Sequence, residues 1–315
     1  MLIEQFAVFF LLLLTGFLCK KFGILTDAAV SAINRFIVVL AYPCLILVKT
    51  AVLDMDHGIF INFLLALSIQ FGFFMLFGFY AWLYCRRKIF HSDDKPVAEF
   101  TIMSPNNGFM GFPVAATFFG GLGLLYMIGA NIALNLMFFT YGISLMKRGR
   151  GMPGESLPKK ILNTARMLVN PNIIAAFAGI ILCYRHMELP GIARTYLDSV
   201  GSVATPLAMI SIGTMLAAGF GLHSFRNRAV MEPVLNKLFI VPIIAVIVVR
   251  FLPIVPLLKA ILIVSSALPT ATTVPILSEQ YDRNKMLAGE ILVITTLFSM
   301  VTIPVAVWLM HQAGM

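Results

Sequence analysis

Charged residues are scarce in this sequence. Only 12% of its 315 residues are Asp, Glu, Lys or Arg, whereas 60% are hydrophobic. A soluble domain carries about a quarter charged residues, so this composition excludes a water-soluble globular protein. Cysteine is also scarce, and the 4 cysteines lie in or beside apolar runs without CxxC spacing. We therefore expect neither a disulfide framework nor a zinc site.

The motifs of enzymes and ATP-driven pumps are missing as well. The 5 histidines form no HExxH motif, and the sequence has no GxxxxGK[ST] phosphate-binding loop. The apolar runs contain no nucleophile–base pair, metal-ligand set or paired aspartates, which argues against an intramembrane enzyme. The lack of a soluble domain argues against a membrane sensor that transports nothing. We expect a protein that is not an enzyme and has no cofactor.

Long apolar runs dominate what is present. A transmembrane helix needs about 20 mostly apolar residues, and the sequence divides into ten such spans. The predicted spans cover residues 3–19, 28–50, 58–85, 97–119, 122–146, 168–186, 196–219, 229–251, 256–278 and 285–310. The sequence therefore predicts an all-α polytopic membrane protein surrounded mainly by the lipid bilayer.

The lysines and arginines between these spans indicate the topology. Sixteen of them fall in the loops after spans 1, 3, 5, 7 and 9, and only four fall on the other side. Because basic loops remain in the cytoplasm, both termini are predicted to lie outside a plasma (cell inner) membrane. The net charge of +9 has the same origin, so we expect no nucleic-acid partner.

A basic loop at 147–166 separates a first half, 1–146, from a second half, 167–315. Each half contains five predicted spans. An odd number of spans gives the two halves opposite orientations, which is the condition for an inverted repeat.

Matched helix breakers in the two halves favour such a repeat. Span 4 contains Ser104–Pro113 and span 9 contains Ser266–Pro275, and each stretch begins with Ser and ends nine residues later with Pro. Both stretches are polar and rich in helix breakers. Pro43 in span 2 likewise matches Pro206 in span 7, and both prolines are predicted to bend their helices.

The two polar stretches are predicted to form a substrate site. Unpaired peptide groups in lipid cost several kcal/mol each, so a broken helix persists only where it is buried in protein or lines a water-filled cavity. Each break exposes a half-helix N-terminus, whose partial positive charge and free N–H groups suit a carboxylate. The predicted substrate-binding residues are Asn106, Asn107, Gly108, Gly111, Pro113, Asn131, Pro269, Thr270, Thr272, Thr273 and Pro275. Two alternatives stay open: proline kinks repaired by neighbouring helices, and, for Asn131, a hydrogen bond between helices.

Acidic residues within the spans are few. Glu290, about two turns inside span 10, is the candidate for a proton or cation site, and the alternative is an interfacial acid near a helix N-terminus. Glu99 and the pair at 93–94 are predicted to serve a helix N-terminus as first-turn acid and N-caps. Glu232 and Lys237 in span 8 are not ideal i,i+4 partners, so both a functional and a structural role stay open.

The fourth span resembles a known family. Residues 105–113, with the sequence PNNGFMGFP, are similar to the broken fourth helix of the auxin efflux carrier family. Residues 267–269, 274–275 and 279–281 resemble the ninth helix of the same family. The number of spans, the outside termini and the short central loop fit the prokaryotic members. Between Pro269 and the next Val-Pro pair, one extra residue and three threonines depart from the plant pattern, which favours relatives that look like permeases for malate or other carboxylates.

The resemblance implies a fold and a function. The fold would be that of sodium/proton antiporters, with two inverted five-helix repeats and crossed broken helices 4 and 9. Helices 1, 2, 6 and 7 would form a scaffold that makes a homodimer, and helices 3–5 and 8–10 would form a moving transport domain. Asn106 matches the asparagine expected to meet the substrate carboxylate.

The function predicted from these observations is secondary transport of a small organic anion, such as malate or an auxin-like acid, by an elevator-type alternating-access mechanism. The alternative is a cation- or proton-coupled symporter or exchanger on the same fold, with Glu290 as the ion site.

Overall fold

The computed structural model describes residues 2–53, 56–87, 89–149, 170–217 and 222–312, and its regular elements are helices. The α-helices are α1 (Leu2–Lys21), α2 (Asp27–Phe36), α3 (Tyr42–Ala51), α4 (His57–Cys85), α5 (Lys95–Met103), α6 (Phe112–Met137), α7 (Ile143–Lys147), α8 (Pro171–Tyr184), α9 (Gly191–Ser202), α10 (Ala204–Ala217), α11 (Arg228–Leu235), α12 (Val241–Arg250), α13 (Pro256–Ala267), α14 (Thr273–Gln280) and α15 (Lys285–Gln312). Four π-helices, Ile37–Ala41, Asn107–Gly111, Phe138–Gly142 and Asn236–Ile240, and one 3-10 helix, Leu222–Arg226, lie between them. The predicted loop at 147–166 lies outside the described residues from position 150 onward.

Several of the described helices can cross a membrane. Six helical segments are long and apolar enough to do so: Asp27–Ala51, His57–Cys85, Asn107–Lys147, Gly191–Ala217, Arg228–Arg250 and Lys285–Trp308. Two shorter apolar helices, α8 and α13, accompany them. The chain is therefore an all-helical polytopic membrane protein. The count of ten spans and the inverted repeat stay predictions.

Prolines determine where several helices change their winding. Three of the four π-helices are followed by a proline two residues after their last residue, at Pro43, Pro113 and Pro242. A proline has no N–H to donate and its ring displaces the preceding carbonyl, so the helix widens before it. Near Pro206 the irregularity is a turn at Val203, which separates α9 from α10. Both prolines predicted to bend their helices thus lie next to an interruption of α-helical winding.

The boundary between predicted spans 4 and 5 lies inside α6. Gly120 has φ 66° and ψ −161°, a conformation outside the helical region that a residue with a side chain rarely adopts. A Cβ at this position would meet no atom within 4 Å, so the backbone conformation rather than packing requires glycine there. The two predicted spans are thus joined by a kink at one residue.

The chain folds into two compact units. The first contains residues 1–66, 108–129 and 168–218, and in it α1 packs against α10 and α3 packs against α8 and α9. Glycines permit these close approaches: a Cβ on Gly213 would collide with the backbone of Leu13, and one on Gly179 would lie 2.7 Å from the Cβ of Thr50. Small residues at helix contacts are typical of membrane helices, where van der Waals packing replaces the hydrophobic effect.

The second unit contains residues 67–107, 130–167 and 219–315. In it α5 packs against α7, α11, α14 and α15, and α13 packs against α12 and α15. Both units combine segments from the two halves of the sequence. The division into halves at 1–146 and 167–315 therefore stays a prediction about the repeat, and the two units are a separate property of the fold.

A buried arginine forms hydrogen bonds that connect three segments of the second unit. The Arg283 side chain donates to the carbonyl oxygens of Met146, at 2.9 Å, and Arg148, and it pairs with the Asp93 carboxylate at 3.0 Å. Arg148 in turn binds both carboxylate oxygens of Glu99, at 2.8 and 3.0 Å. The expectation that residues 93–94 cap α5 is wrong in detail, because Asp94 occupies the N-cap position without a capping bond and accepts from Asn284 instead.

Candidate functional site

Two helices of the second unit are interrupted at the predicted positions. α5 ends at Met103, and winding resumes at Asn107; α13 ends at Ala267, and α14 begins at Thr273. Ser104 and Leu268, the first residues of the two breaks, both have extended backbones, with ψ 105° and 150°. Each precedes a proline, whose ring disfavours the helical conformation of the residue before it. The local sequence therefore ends both helices.

The two breaks pair with each other. Pro105 and Thr270 form an isolated antiparallel bridge. The Asn106 N–H donates to the Pro269 carbonyl at 2.8 Å, and the Ala271 N–H donates to the Ser104 carbonyl at 2.9 Å. Since an unpaired peptide group away from water is costly, each break supplies partners that the other has lost. Each interruption is thus a stretch of non-helical backbone that pairs with the other interruption.

Side chains extend the pairing on both sides. The Thr270 hydroxyl donates to the Thr101 carbonyl at 3.0 Å, and the Thr270 N–H donates to the Thr295 hydroxyl oxygen at 3.2 Å. The Ser265 hydroxyl donates to the Asn107 amide oxygen at 2.8 Å. All five of these residues are buried, so the hydrogen bonds lie away from water. Thr101, Thr295 and Ser265 are absent from the sequence-predicted site because serine and threonine are common within membrane helices.

Two buried polar atoms at the breaks lack partners. Within the described part of the chain, the Asn107 amide nitrogen and the Ser104 hydroxyl make no hydrogen bond. Asn107 itself has no exposed surface. Leaving a buried donor unpaired costs about 1–3 kcal/mol, and a ligand or a water molecule that accepts from it removes that cost. Asn107 is therefore the strongest ligand-binding candidate among the predicted residues.

The N-terminus of α14 adds a partial positive charge to the ninth-span break. Thr272 occupies its N-cap position, and the Thr272 side chain makes no capping hydrogen bond. Thr272 and Pro275 are half-buried, and Thr273 is exposed. The partial positive charge of a helix N-terminus favours an anion placed beside it.

Lys237 is a further residue near the ninth-span break. It lies on the π-helix Asn236–Ile240 and has no exposed surface. Its ammonium group donates to the Ser266 carbonyl at 3.4 Å. Glu232 pairs instead with Arg87, at 3.4 Å. Five residues separate Glu232 from Lys237, which places them on different faces of a helix, so the spacing already argued against their pairing.

The remaining predicted residues are not among those joined by the hydrogen bonds between the two breaks. Asn131, on α6 in the second unit, is half-buried and is not one of the residues joined by the hydrogen bonds above. Glu290, on α15, is half-buried and lies five residues before Thr295. Gly108, Gly111, Pro113, Pro43 and Pro206 belong to the first unit. In the described ranges, no three His, Cys, Asp or Glu side chains converge to hold a metal ion.

Comparison with known proteins assigns this chain to a family. The family model described as "Membrane transport protein" matches residues 1–307. A protein of Methanothermobacter thermautotrophicus named as an uncharacterized transporter is 28% identical over 93% of both chains. A protein of Methanocaldococcus jannaschii with a similar name is 27% identical over 95% of this chain and 96% of its own. A Rhizobium meliloti protein named "Putative malonate transporter" is 25% identical over 98% of this chain and 95% of its own.

These matches extend over nearly the whole chain and agree with the resemblance of the fourth and ninth spans to auxin efflux carriers. All three relatives carry the names of transporters and not of enzymes. The chain belongs to the membrane transport protein family, and it is a membrane-embedded transporter.

Proposed function

We propose that this protein is a secondary transporter that carries a small organic anion, a carboxylate such as malonate, malate or an auxin-like acid, across the plasma (cell inner) membrane. The observation that carries the proposal is the pairing of two broken helices, with the buried Asn107 amide left unpaired beside them. The name of the Rhizobium meliloti relative supports a carboxylate. The substrate carboxylate would be met by Asn106, Asn107 and the stretch Thr270–Thr273.

Transport would proceed by elevator-type alternating access. Predicted helices 3–5 and 8–10 would move as the transport domain. The second unit contains the paired breaks and most of these helices, while residues 58–66 of span 3 and 108–129 of spans 4 and 5 group with the first unit. The first unit contains the helices of predicted spans 1, 2, 6 and 7, and it would act as the scaffold of a homodimer. Pro43 and Pro206 would shape the scaffold helices, and both termini would lie outside.

Helix packing in the first unit supports the inverted repeat. α1 packs against α10, and α3 packs against α8, so span 1 contacts span 7 and span 2 contacts span 6. Exchanging the two halves of the chain converts the first contact into the second. This equivalence is what a twofold pseudo-symmetry axis in the membrane plane requires.

A cation- or proton-coupled mechanism is the second candidate. Glu290 favours it, because this half-buried acid lies on α15, the helix whose Thr295 accepts a hydrogen bond from the paired breaks. Five positions of an α-helix rise about 7.5 Å and turn the side chain to a different face, so Glu290 would influence the breaks through α15 and not by direct contact with Thr295. Uptake that does not change with pH, with sodium or in Glu290→Gln would exclude this candidate.

The proposal is tested by measuring carboxylate uptake into proteoliposomes and thermal stabilisation of the purified protein. A bound carboxylate stabilises the native state by about 2.7 kcal/mol at a hundredfold excess over its Kd. We expect malonate or malate to stabilise the wild type, and a folded Asn106→Ala variant to lose both stabilisation and uptake. Asn135→Ala is the matched control, since this asparagine lies on α6 and is not one of the residues joined by the hydrogen bonds of the breaks. A wild type that neither binds nor moves any carboxylate would refute the proposal.

A further inference from the structure

Lys237 is a basic residue inside a membrane span, and among the described residues no carboxylate is paired with it. Its side chain has no exposed surface, and it lies within the apolar segment Arg228–Arg250. Removing an ammonium group from water costs several kcal/mol unless a partner compensates. Ionisable residues inside membrane spans are for this reason rare, and they mark substrate or ion pathways.

No carboxylate in the described part of the second unit pairs with Lys237. In the part of the chain that the structure describes, Lys237 has a single polar contact, with the Ser266 carbonyl at 3.4 Å. Four of the acidic side chains bind other cations: Glu99 binds Arg148, Glu232 binds Arg87, Glu279 binds Lys285 and Asp93 binds Arg283. An ammonium group has three N–H donors, so one long contact with a carbonyl leaves most of its hydrogen-bonding capacity unused.

The position of Lys237 connects it to Asn107, one of the residues with an unpaired buried donor. Ser266 is the next-to-last residue of α13, directly before the ninth-span break, and it accepts from Lys237. The preceding residue, Ser265, donates to the amide oxygen of Asn107, whose amide nitrogen has no partner. Adjacent residues of one helix end therefore hold a buried ammonium group and a buried amide donor.

Two unused donors, one of them charged, are complementary to a group that only accepts hydrogen bonds and carries negative charge. A carboxylate has this chemistry, because its two oxygens accept from separate donors. We propose that Lys237 is the cationic anchor of the transported anion, and that its ammonium group and the Asn107 amide bind the same carboxylate. This inference rests on the proposed function and names the charged residue of its site.

The charge of the Lys237 ammonium group should make the site select a carboxylate over the corresponding amide. One carboxylate neutralises one ammonium group, so a monocarboxylate leaves the loaded site without net charge, whereas a dicarboxylate such as malonate or malate leaves one net negative charge to cross the apolar region. A neutral amide of the same shape would leave the buried charge uncompensated. Binding should therefore discriminate strongly between a carboxylate and its amide, and this discrimination should depend on Lys237.

The test compares malonate with malonamide on the purified full-length protein, with affinities from calorimetry and initial rates of malonate uptake into proteoliposomes. Hydrogen bonds to charged groups contribute about 1.5–3 kcal/mol, so Lys237→Gln should weaken malonate binding about tenfold or more. Lys237→Arg keeps the charge and should retain part of the affinity. The matched control is Lys285→Gln, because that lysine is exposed and pairs with Glu279, and it should bind malonate as the wild type does.

The stability of the unliganded variants separates this role from a structural one. A lysine that only stabilises the carbonyl end of α13 would lower the melting temperature when it is replaced. An unpaired buried charge kept for binding should give Lys237→Gln a melting temperature equal to or above that of the wild type. Lower stability together with unchanged malonate affinity would overturn the inference.

The failures of the two proposals are distinguishable. A folded Lys237→Gln protein with wild-type malonate affinity would overturn the role of Lys237 and leave the carboxylate transporter intact. If this variant does not fold, the wild type alone decides, because equal affinity for malonate and malonamide would also overturn the inference. A wild type that binds no carboxylate would remove the proposed function, and this inference with it.

Discussion

Replacing Arg283 should destabilise the protein more than replacing any exposed basic residue. The Arg283 side chain is 2% exposed, and it donates to the carbonyl oxygens of Met146 and Arg148. The sequence places it in the loop between α14 and α15, while its partners lie at the end of α7 and just beyond. Arg283→Met keeps much of the side-chain length and removes every donor.

The expected loss in the free energy of unfolding of Arg283→Met follows from the carbonyl oxygens that lose their donor. The buried Met146 carbonyl costs about 1–3 kcal/mol when it loses its donor. The Arg148 carbonyl adds less, because Arg148 is exposed and water can replace the lost donor. The contact with Asp93 adds at most about 1 kcal/mol, because that carboxylate is 65% exposed and water replaces the arginine. Arg283→Lys should fall between Arg283→Met and the wild type, since one ammonium group cannot reproduce the geometry of a guanidinium fork.

The assay is equilibrium unfolding in mixed detergent micelles, supported by the melting temperature of the purified protein. Lys285→Met is the matched control, because the Lys285–Glu279 pair has side chains that are 60% and 65% exposed, and it should change the free energy of unfolding by less than about 1 kcal/mol. An Arg283→Met protein within about 1 kcal/mol of the wild type would show that the two carbonyls find other partners, and the reasoning would be wrong.

Two further predictions concern helix packing and the paired breaks. Gly213→Val should lower the free energy of unfolding by about 1–3 kcal/mol, because a side chain at this position collides with the Leu13 backbone. Gly72→Ala is the control, because a Cβ there meets nothing within 4 Å. It should be neutral or stabilising in the same unfolding assay. Thr270→Val removes the hydroxyl that donates to Thr101, and it should lower the free energy of unfolding by about 1 kcal/mol and slow carboxylate uptake. Wild-type uptake by a folded Thr270→Val protein would separate this hydrogen bond from transport.

The positions of the helix breaks could be predicted from sequence because their causes are local. A proline constrains the residue before it, so Ser104 and Leu268 end their helices whatever surrounds them. The pairing of Pro105 with Thr270 has no such local signal, because the two residues are 165 positions apart and meet only through the fold. The sequence therefore predicted that both breaks need a partner, and the structure shows that each break is the partner of the other.

The difference between local causes and long-range contacts also explains why the partners of the acidic residues were predicted wrongly. Glu99 and Asp93 are predicted to serve the N-terminus of α5, because the nearest groups along the chain are those of the helix itself. The structure gives them arginine partners 49 and 190 residues away. Sequence reasoning also treated Thr270, Thr272 and Thr273 as equivalent. The structure separates them, since Thr270 is buried and hydrogen-bonded whereas Thr273 is exposed at the start of α14.

The polar groups of the second unit can be sorted by whether the fold satisfies them. The charges of Glu99 and Arg283 are bound by the protein's own side chains and carbonyls, so stability alone accounts for their presence. The Asn107 amide and the Lys237 ammonium group are equally buried, yet the described residues give the first no partner and the second one long contact. Burying such donors costs free energy, which the fold could avoid by placing apolar side chains there. Their position beside the paired breaks agrees with the proposed ligand, which would supply the missing acceptors, and a protonated Lys237 would favour an anion.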